Sequence, residues 1–245
     1  MTSVQSQLKS YYEDDASRFW SATNGFVGRD LDVYPLTKGY HGSIIEYGCG
    51  SGSLLLNLAL EDRFTHACGV DISSNALAAV RNSWQIMSRP SNVSKLSLLE
   101  PVNDHLPTIR SNTYDLLVSV ATIEHVINPY TVLDELHRIG NPGSTLICSV
   151  PNYAYIKHRV QLLFGIQPRT GTDEPVNKWR EEGWDGMHLH TFTHSSFSTL
   201  LVDCGWRPIK WSGGGSRFNR IGLGPFRRNF PGLWSGELIA LCKKI

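Results

Sequence analysis

The chain has 245 residues, of which 41% are hydrophobic and 18% are charged, and its formal net charge at pH 7 is +1. This composition is typical of a globular domain and excludes a disordered or fibrous chain. Apolar runs stay well below the ~20 residues that a membrane-spanning helix requires, and the first residues lack the apolar segment of a secretion signal. We therefore expect a single cytoplasmic domain over residues 1–245.

After an N-terminal cap segment over residues 1–40, apolar strand patterns alternate with amphipathic helix patterns. Ser73 or Ser74 is suited to cap the helix that follows the second strand. Asn128 followed by Pro129 predicts the start of the helix after the fourth strand. Alternating strands and helices predict an α/β fold with a Rossmann-like, mainly parallel sheet that helices cover on both faces. The runs that predict its first five strands are GSIIEYG, HACGVDIS, KLSLLE, YDLLVSVA and STLICSV.

The alternation stops after the fifth strand. Residues 152–192 are too many for a simple connection, and we interpret them as a lid insertion over the C-terminal edge of the sheet. Thr193 then caps a further helix, and the runs WRPIKWS and GELIALCKKI predict two last strands. Residues 213–235, which lie largely between these two runs, predict a glycine-rich basic loop.

Basic residues are concentrated in the last part of the sequence. Between Gly205 and Ile245 there are eight Lys or Arg residues and a single acid, Glu237. One interpretation is a solvated basic face. The other is attraction to a phosphate-bearing substrate or to an anionic membrane surface.

A glycine loop joins the first predicted strand to the first helix, in the stretch SIIEYGCGSGSLLLNLAL. Its glycines stand at alternate positions, Gly48, Gly50 and Gly52. Glycine lets the backbone adopt positive φ and come close to a ligand. Open α/β sheets bind ligands at this edge, so the loop predicts a ligand packed on the main chain. The alternative is a tight strand-to-helix turn without a ligand.

Two acids indicate the chemistry of that ligand. Glu46 precedes the loop, and a carboxylate there disfavours a phosphate and favours a positively charged group. The third glycine also comes one residue too early for the dinucleotide fingerprint, which argues against a nicotinamide dehydrogenase. Asp71 ends the second strand, where an acid accepts hydrogen bonds from ribose hydroxyls. S-adenosyl-L-methionine fits this pattern, with its adenine against Ile72 and its amino-acid end near Glu46.

The stretches EYGCGSG and GVDIS resemble motifs I and II of the class I S-adenosylmethionine-dependent methyltransferases. The similarity continues through YDLLVSVATIEHVINP, ELHRIGNPGSTLICSVPN and HLHTFTHSSFSTLLVDCGW, and it covers roughly residues 40–212. The chain is most similar to the branch with the ubiquinone-biosynthesis O-methyltransferases and the methyltransferase-like proteins of methionine biosynthesis. This resemblance implies a seven-stranded sheet whose last strand is antiparallel.

The resemblance also implies positions for the cofactor site. The end of the fourth strand, Val120 and Ala121, is expected to line the methionine end of the cofactor, and Asp71 to hold the ribose. The adenine contact stays open among Glu100, Val102 and Asn103, because LLEPVNDHLP departs from the family's Gly-Asp. The cofactor loop is implied to consist of Glu46, Gly48, Cys49, Gly50 and Gly52.

Methyl transfer to a hydroxyl requires a base, and near neutral pH this is usually a histidine. His125 follows the fourth strand directly, and His188 and His190 lie at the end of the insertion. Each is a candidate catalytic residue, and for each the alternative is a packing or hydrogen-bonding role. Glu124 is placed to orient a neighbouring imidazole.

Glu124 and His125 also resemble the E-x-x-E-H metal-binding pattern of some relatives. The first acid of that pattern is replaced by Ala121, which cannot bind a metal. We therefore expect no metal site. If one exists, His188 or His190 must complete it.

We predict an S-adenosylmethionine-dependent methyltransferase that acts on a small-molecule acceptor, at a hydroxyl oxygen. The alternative is a non-catalytic S-adenosylmethionine-binding partner or regulatory module on the same fold, since fold alone does not decide function.

The acceptor is expected to bear a phosphate or an apolar tail. In the insertion, Ile156, Val160, Leu163 and Phe164 form an apolar stripe beside basic residues. This stripe predicts either a lid helix packed on the domain or a helix in peripheral contact with a membrane. Nucleic acid is not expected as a partner. Ala121 and Thr122 stand where enzymes that methylate base amino groups often have an Asn/Asp-Pro-Pro-Tyr-type motif. The sequence also lacks a stripe of basic residues with interleaved aromatics.

Overall fold

The computed structural model describes residues 3–13, 25–88, 93–172, 175–178, 180, 184–214, 227 and 229–245. Residues 215–226 and 228 of the predicted basic loop therefore lie outside the described residues, as do residues 14–24 of the N-terminal cap segment.

The described residues form a seven-stranded sheet in the order β3-β2-β1-β4-β5-β7-β6. The pairs among β1 to β5 are parallel, whereas β7 is antiparallel to both β5 and β6. This confirms the predicted Rossmann-like fold with its antiparallel last strand. The strands are β1 (Gly42–Tyr47), β2 (Phe64–Val70), β3 (Leu96–Leu99), β4 (Tyr114–Val120), β5 (Gly140–Pro151), β6 (Trp206–Gly214) and β7 (Glu237–Lys244).

Helices connect the strands and cap the sheet. In the described parts of the chain they are α1 (Ser3–Glu13), α2 (Asp30–Thr37), α3 (Ser53–Ala59), α4 (Ser74–Met87), α5 (Pro129–Ile139), α6 (Ile156–Leu163), α7 (His194–Asp203) and α8 (Pro231–Trp234). Three short 3-10 turns accompany them, Val93–Lys95, Val176–Lys178 and Trp184–Met187.

The helices begin where their sequence signals predict. The Ser73 hydroxyl accepts a hydrogen bond from the Ala76 N–H at 3.1 Å, so Ser73 rather than Ser74 caps α4. The Asn128 side chain caps α5 in the same way, with Pro129 in the first turn. Thr193 and Ser196 form a reciprocal capping box at the start of α7.

The two faces of the sheet carry separate hydrophobic cores. Ile44 and Ile45 are neighbours in β1 whose side chains point to opposite faces, and both are fully buried. Ile44 packs with residues of α3 and α4, and Ile45 with residues of α5 and α7. Because both faces are covered, ligands can reach the sheet only at the strand ends.

The predicted insertion contains α6, whose apolar stripe is only partly packed. Leu163 and Phe164 are 82% and 77% exposed, so this end of the helix does not rest on the domain. Among the described residues, we find no helix that is both long and apolar enough to cross a membrane.

Candidate active site

A cavity of about 480 Å³ lies where β1, β2 and β4 end. This is the edge at which open α/β sheets bind ligands. One wall follows the strands and includes the predicted residues Glu46, Gly48, Cys49, Gly50, Asp71, Ile72, Val120, Ala121 and His125. The facing wall comes from α1 and from the segment that leads into the first residue of α2, through Gln5, Leu8, Tyr12, Val27, Gly28, Arg29 and Asp30.

Each of the three loop positions requires glycine for a different physical reason. Gly48 has φ +77°, and a Cβ there would lie 2.1 Å from the Thr122 Oγ1, so a larger residue would be strained and would clash with Thr122. Gly50 has φ +51° with nothing within 4 Å of a Cβ position, and its backbone is left open to the cavity. Gly52 caps α3 and is crowded by Val80 at 3.0 Å, but it does not line the cavity. Gly52 thus shapes the start of α3, and its predicted contact with the cofactor stays a prediction.

Asp71 joins the glycine loop to the start of α4. Its Oδ2 accepts the Gly50 N–H at 2.8 Å, and its Oδ1 accepts the Ser73 N–H at 2.9 Å. Burial raises the pKa of this carboxyl, and the two N–H groups act in the opposite direction. Each carboxylate oxygen keeps a lone pair, so the group can accept two further hydrogen bonds from a pair of vicinal hydroxyls.

Glu46 is a buried acid at the floor of the cavity. Its Oε2 has no hydrogen-bond partner among the described residues, and only 5% of the residue is exposed. Burial, the Asp30 charge and the Asp71 charge hold the pKa of Glu46 well above its usual range. An unsatisfied buried carboxyl is costly, and an ammonium group in the cavity would offset that cost. This end of the cavity therefore suits S-adenosylmethionine.

Arg29 is a cavity residue that the sequence did not indicate. Its Nε lies 3.3 Å from the Glu237 Oε2, and its side chain is 55% exposed. Arg29 thus provides a positive group near Asp30, Glu124 and Glu237. Its guanidinium can bind a ligand carboxylate. It belongs to no recognisable motif, so no sequence signal could have found it.

The residues predicted to contact the adenine follow β3, and that contact stays a prediction. Glu100 bonds to the Lys9 Nζ of α1 at 2.5 Å, and Val102 is 58% exposed. The backbone of Val102 pairs with that of His105, so the chain reverses there, and Asn103 adopts φ 51° in this turn. Consequently none of the three predicted residues lines the cavity. Pro101 and Asp104 do, and Asp104 accepts a hydrogen bond from the Tyr47 hydroxyl at 3.4 Å.

Helix α1 is fixed across the cavity by Glu13. Its carboxylate accepts the backbone N–H groups of Ser74 at 2.8 Å and Asn75 at 3.0 Å, at the start of α4. Burial raises the pKa of Glu13, but these bonds and those from the Ser73 and Ser74 hydroxyls outweigh it and lower the pKa to about 2. This contact joins the end of α1 to the start of α4. It thereby fixes the cavity wall that α1 forms through Gln5, Leu8 and Tyr12.

The three predicted histidines occupy different environments. His125 lines the cavity, with the Tyr12 ring edge-on at 5.7 Å. His188 lies behind His125, and the two ring centroids are 4.6 Å apart. His190 does not line the cavity, and its Nε2 lies 2.9 Å from the Val126 carbonyl oxygen. The structure therefore brings His125 and His188 together and leaves His190 out.

Glu124 completes a cluster with these two histidines. The Nε2 atoms of His125 and His188 each lie 4.0 Å from the Glu124 Oε1. One ligand atom from each of the three residues lies within 4.8 Å of the others. Burial raises the pKa of Glu124 to about 8 and lowers the pKa of His188 to about 4.

Fold and cavity together define a nucleoside-binding α/β domain with an acidic pocket for a positively charged ligand. Comparison with known families agrees, because residues 17–210 match the family described as "Methyltransferase domain". The chain belongs to this family and is a class I S-adenosylmethionine-dependent methyltransferase.

Two relatives are similar to this chain in sequence, and one solved structure is similar to it in fold. The ubiquinone biosynthesis O-methyltransferase of Vibrio cholerae is 24% identical over 211 residues, which covers 74% of this chain and 82% of the relative. The human tRNA N(3)-cytidine methyltransferase METTL6 is 24% identical over 168 residues, or 68% of this chain and 56% of the relative. A SAM-dependent methyltransferase of Thermotoga maritima, titled a possible histamine N-methyltransferase, superposes with a TM-score of 0.63 at 15% identity, covering 97% of this chain and all of that one.

The prediction that excluded nucleic acid as a partner is wrong. A relative of comparable identity is named for its action on tRNA. The absence of an Asn/Asp-Pro-Pro-Tyr-type motif at Ala121 and Thr122 excludes one way of presenting a base, but it does not exclude nucleic acid as a substrate class.

Proposed function

We propose that this chain transfers the methyl group of S-adenosylmethionine to a hydroxyl oxygen of a small-molecule acceptor that enters beside His125. The observation that carries the proposal is the cavity itself, which joins an acidic cofactor pocket to a histidine on one wall. The similarity to an O-methyltransferase over 82% of the relative's length supports it.

In this proposal, each end of the cofactor has a counterpart in the chain. Asp71 accepts hydrogen bonds from the ribose hydroxyls, and Asp104 faces the adenine end. Glu46 binds the amino group, because its Oε2 has no other partner among the described residues. Arg29 binds the carboxylate. When bound, the cofactor supplies a methyl group on a positively charged sulfur.

On the acceptor side, His125 has a defined tautomer. Its Nδ1 lies 3.1 Å from the Met187 carbonyl oxygen, which can only accept, so Nδ1 carries the hydrogen. In the neutral ring Nε2 then has a lone pair, and it takes the proton from the hydroxyl group of the substrate. Tyr12, Val126 and Ile127 line the cavity near His125 and exclude water from this region.

A direct test combines ligand binding with turnover. S-adenosylmethionine and its demethylated product should raise the melting temperature, whereas NAD should not, since ligand at 100 times its Kd adds about 2.7 kcal/mol. Isotope-labelled cofactor is then incubated with phenols, catechols and alcohols, each with and without a phosphate or an apolar tail. Label on a hydroxyl oxygen with equimolar demethylated cofactor is the expected result.

His125→Ala should lower kcat by about 10²–10⁴-fold with little change in cofactor affinity. A loss of this size in His190→Ala with none in His125→Ala would contradict the assignment. Cofactor binding without transfer to any acceptor class would support the non-catalytic module instead.

A second candidate function is methylation of a nucleic acid. The similarity to a tRNA methyltransferase supports it, as do the exposed Arg207 and Lys210 on the edge strand β6. Including bulk tRNA in the same labelling assay separates the two candidates, because label in a digested nucleoside would favour the second.

A further inference from the structure

Arg29 is paired with an acid of the last strand. Glu237 is the first residue of β7, and its Oε2 lies 3.3 Å from the Arg29 Nε. Only 6% of Glu237 is exposed, whereas the Arg29 side chain is 55% exposed. The buried acid is therefore the fixed member of this ion pair, and it orients the side chain that reaches the cavity.

Glu237 has room for its carboxylate because the neighbouring strand carries a glycine. Gly214 of β6 is paired with Glu237 of β7 in the sheet. A Cβ at Gly214 would lie 2.8 Å from the Glu237 Oε2, so a side chain there would displace that oxygen. The Oε2 is the atom that Arg29 contacts. Glycine at position 214 thus allows the acid to face Arg29.

The other oxygen of Glu237 is connected to the end of β4. The Ser149 hydroxyl of β5 donates a hydrogen bond to the Glu237 Oε1 at 2.7 Å. Since the hydroxyl has only one hydrogen, its oxygen is left to accept the Ala121 N–H at 3.2 Å. The Ser149 carbonyl oxygen shares this N–H at 3.1 Å. Glu237 is therefore connected both to Arg29 and to the backbone of Ala121.

Ala121 has a strained backbone conformation. Its φ is 49°, in the left-handed region that alanine seldom adopts. Ala121 lines the cavity, and so do Thr122 and His125, which follow it. Backbone strain of this kind persists only where surrounding contacts enforce it. The hydrogen bonds that Ala121 donates to Ser149 are such contacts, and Glu237 fixes the Ser149 hydroxyl.

A second ion pair fixes the same turn of α2. Arg29 directly precedes α2, and Asp32 lies in its first turn. The Asp32 Oδ1 lies 3.0 Å from the Arg227 Nη2, and Arg227 is only 2% exposed. Two residues of one helical turn are thus paired with two residues near the end of the chain. The backbone that carries Arg29 is therefore anchored, and Glu237 restricts the freedom that remains, which is that of the side chain.

We propose that Glu237 is a positioning residue for cofactor binding. It orients the Arg29 guanidinium toward the carboxylate of S-adenosylmethionine and, through Ser149, holds the turn at Ala121. The proposal rests on the part of the proposed function that assigns Arg29 to the cofactor carboxylate. Glu237 does not itself line the cavity, so it acts through the other residues.

This ion pair does more than neutralise a buried charge. Arg29 is more than half exposed, so water already hydrates its guanidinium. The cost of the pair falls on Glu237, because burial raises the pKa of its carboxyl while Arg29 and Ser149 favour the ionised form. The orientation of Arg29 and of the Ala121 turn accounts for a buried acid at this position.

The test compares two ligands that differ by one group. Decarboxylated S-adenosylmethionine keeps the adenosine, the sulfonium and the amino group but lacks the carboxylate that Arg29 binds. Calorimetric titration of the full-length protein gives the affinity for each ligand, and their ratio is the preference for the carboxylate. We expect wild-type protein to prefer S-adenosylmethionine by roughly 10–100-fold, the effect of hydrogen bonds to a charged group. Arg29→Gln should abolish this preference.

Glu237→Gln should reduce the same preference by about 5–10-fold, within the range of coupling between residues in contact. Gly214→Ala keeps the charge but displaces the Glu237 Oε2, so it should reduce the preference as well. Combining Arg29→Gln with Glu237→Gln should lower the preference no further than Arg29→Gln alone does. Asp115→Asn is the matched control, because this hydrogen-bonded acid lies near the start of β4, and it should keep the wild-type preference.

The connection to Ala121 is tested separately. Ser149→Ala keeps the contact between Arg29 and Glu237 but releases the turn, so it should weaken binding of both ligands by about fivefold. Glycine adopts positive φ without strain, so Ala121→Gly in the Ser149→Ala background should restore part of that affinity. Wild-type affinity for both ligands in Ser149→Ala would refute the role of Glu237 at this turn.

Circular dichroism checks that each variant folds, and Gly214→Ala decides the case if Glu237→Gln does not. Equal loss of affinity for both ligands in Glu237→Gln would indicate a merely structural role and overturn the proposal. Wild-type preference in Arg29→Gln or in Glu237→Gln would overturn it too. The titrations contain no methyl acceptor. If Glu237→Gln loses the preference and no hydroxyl is methylated by wild-type protein, the proposed function fails while the positioning role stands.

Discussion

The Asp71 carboxylate accepts the Gly50 N–H at 2.8 Å, which makes the acid after β2 and the glycine loop after β1 a single unit. The same carboxylate also accepts the Ser73 N–H at the start of α4. A ligand that binds Asp71 therefore meets a group that two backbone N–H groups already orient. This pre-organisation lowers the cost of ordering the site on binding.

Asp71→Asn should weaken binding of S-adenosylmethionine by roughly 10–100-fold, since hydrogen bonds to a charged group contribute about 1.5–3 kcal/mol. Calorimetric titration measures the change. Asp62→Asn, an exposed acid after α3, is the matched control and should bind as wild type does. Unchanged affinity in Asp71→Asn would exclude Asp71 from the cofactor site.

Glu46→Gln should have opposite effects on stability and on binding. Because the pKa of Glu46 is raised in the folded protein, its ionisation opposes folding increasingly as pH rises above the ordinary value of 4.5. The variant should therefore be more stable than wild type at neutral pH, by about 1–3 kcal/mol in urea unfolding.

The same variant should bind S-adenosylmethionine more weakly and adenosine as well as wild type does, because adenosine lacks the amino-acid end. Equal loss for both ligands would show that Glu46 does not contact the amino group.

Gly48→Ala should destabilise the protein by about 1–3 kcal/mol, because an L residue is strained at φ +77°. A Cβ there would also lie 2.1 Å from the Thr122 Oγ1. Gly50→Ala shares the positive φ but meets nothing within 4 Å, so it isolates the strain from the clash. Urea unfolding should rank Gly48→Ala as the less stable of the two, and the reverse order would contradict the structure.

Glu13 should make stability depend on pH in the acid range. Its pKa is about 2 in the folded protein, below the ordinary value of 4.5, so its contribution is complete above pH 4.5 and is lost as pH falls toward 2. Glu13→Gln should reduce the loss of stability between these pH values, measured by thermal melts.

At pH 7 the same substitution weakens the contact between α1 and α4, so S-adenosylmethionine should dissociate faster. Lys9→Gln removes the ion pairs of Lys9 with Glu100 and Glu13 but keeps the hydrogen bonds that Glu13 accepts from Ser74 and Asn75, so it should change the dissociation rate less. Equal rates in wild type and Glu13→Gln would show that α1 does not retain the ligand.

The sequence indicated those parts of the fold whose causes are local. Ser73, Asn128 and Thr193 cap helices through hydrogen bonds within two or three residues, so short patterns suffice to predict α4, α5 and α7. Gly48 and Asp71 could be placed because each directly follows a strong apolar strand.

Other site residues depend on contacts between distant segments. Arg29 and Tyr12 reach the cavity only because the N-terminal segment folds across the strand ends. Pro101 and the Asn103-Asp104 pair signal the tight turn after β3, but they do not reveal that Asp104 rather than Asn103 lines the cavity. His188 joins Glu124 across more than sixty positions of the chain, so adjacency to His125 could not be read from the sequence.

The antiparallel β7 lies between β5 and β6, although it follows both in the sequence. On the ribosome, β6 and α7 therefore emerge before the strand that links them to the rest of the sheet. The nascent chain must keep the edge of β5 unpaired until residues 237–244 have left the exit tunnel. Until then β5 presents an open apolar edge, which is the kind of surface that chaperones protect.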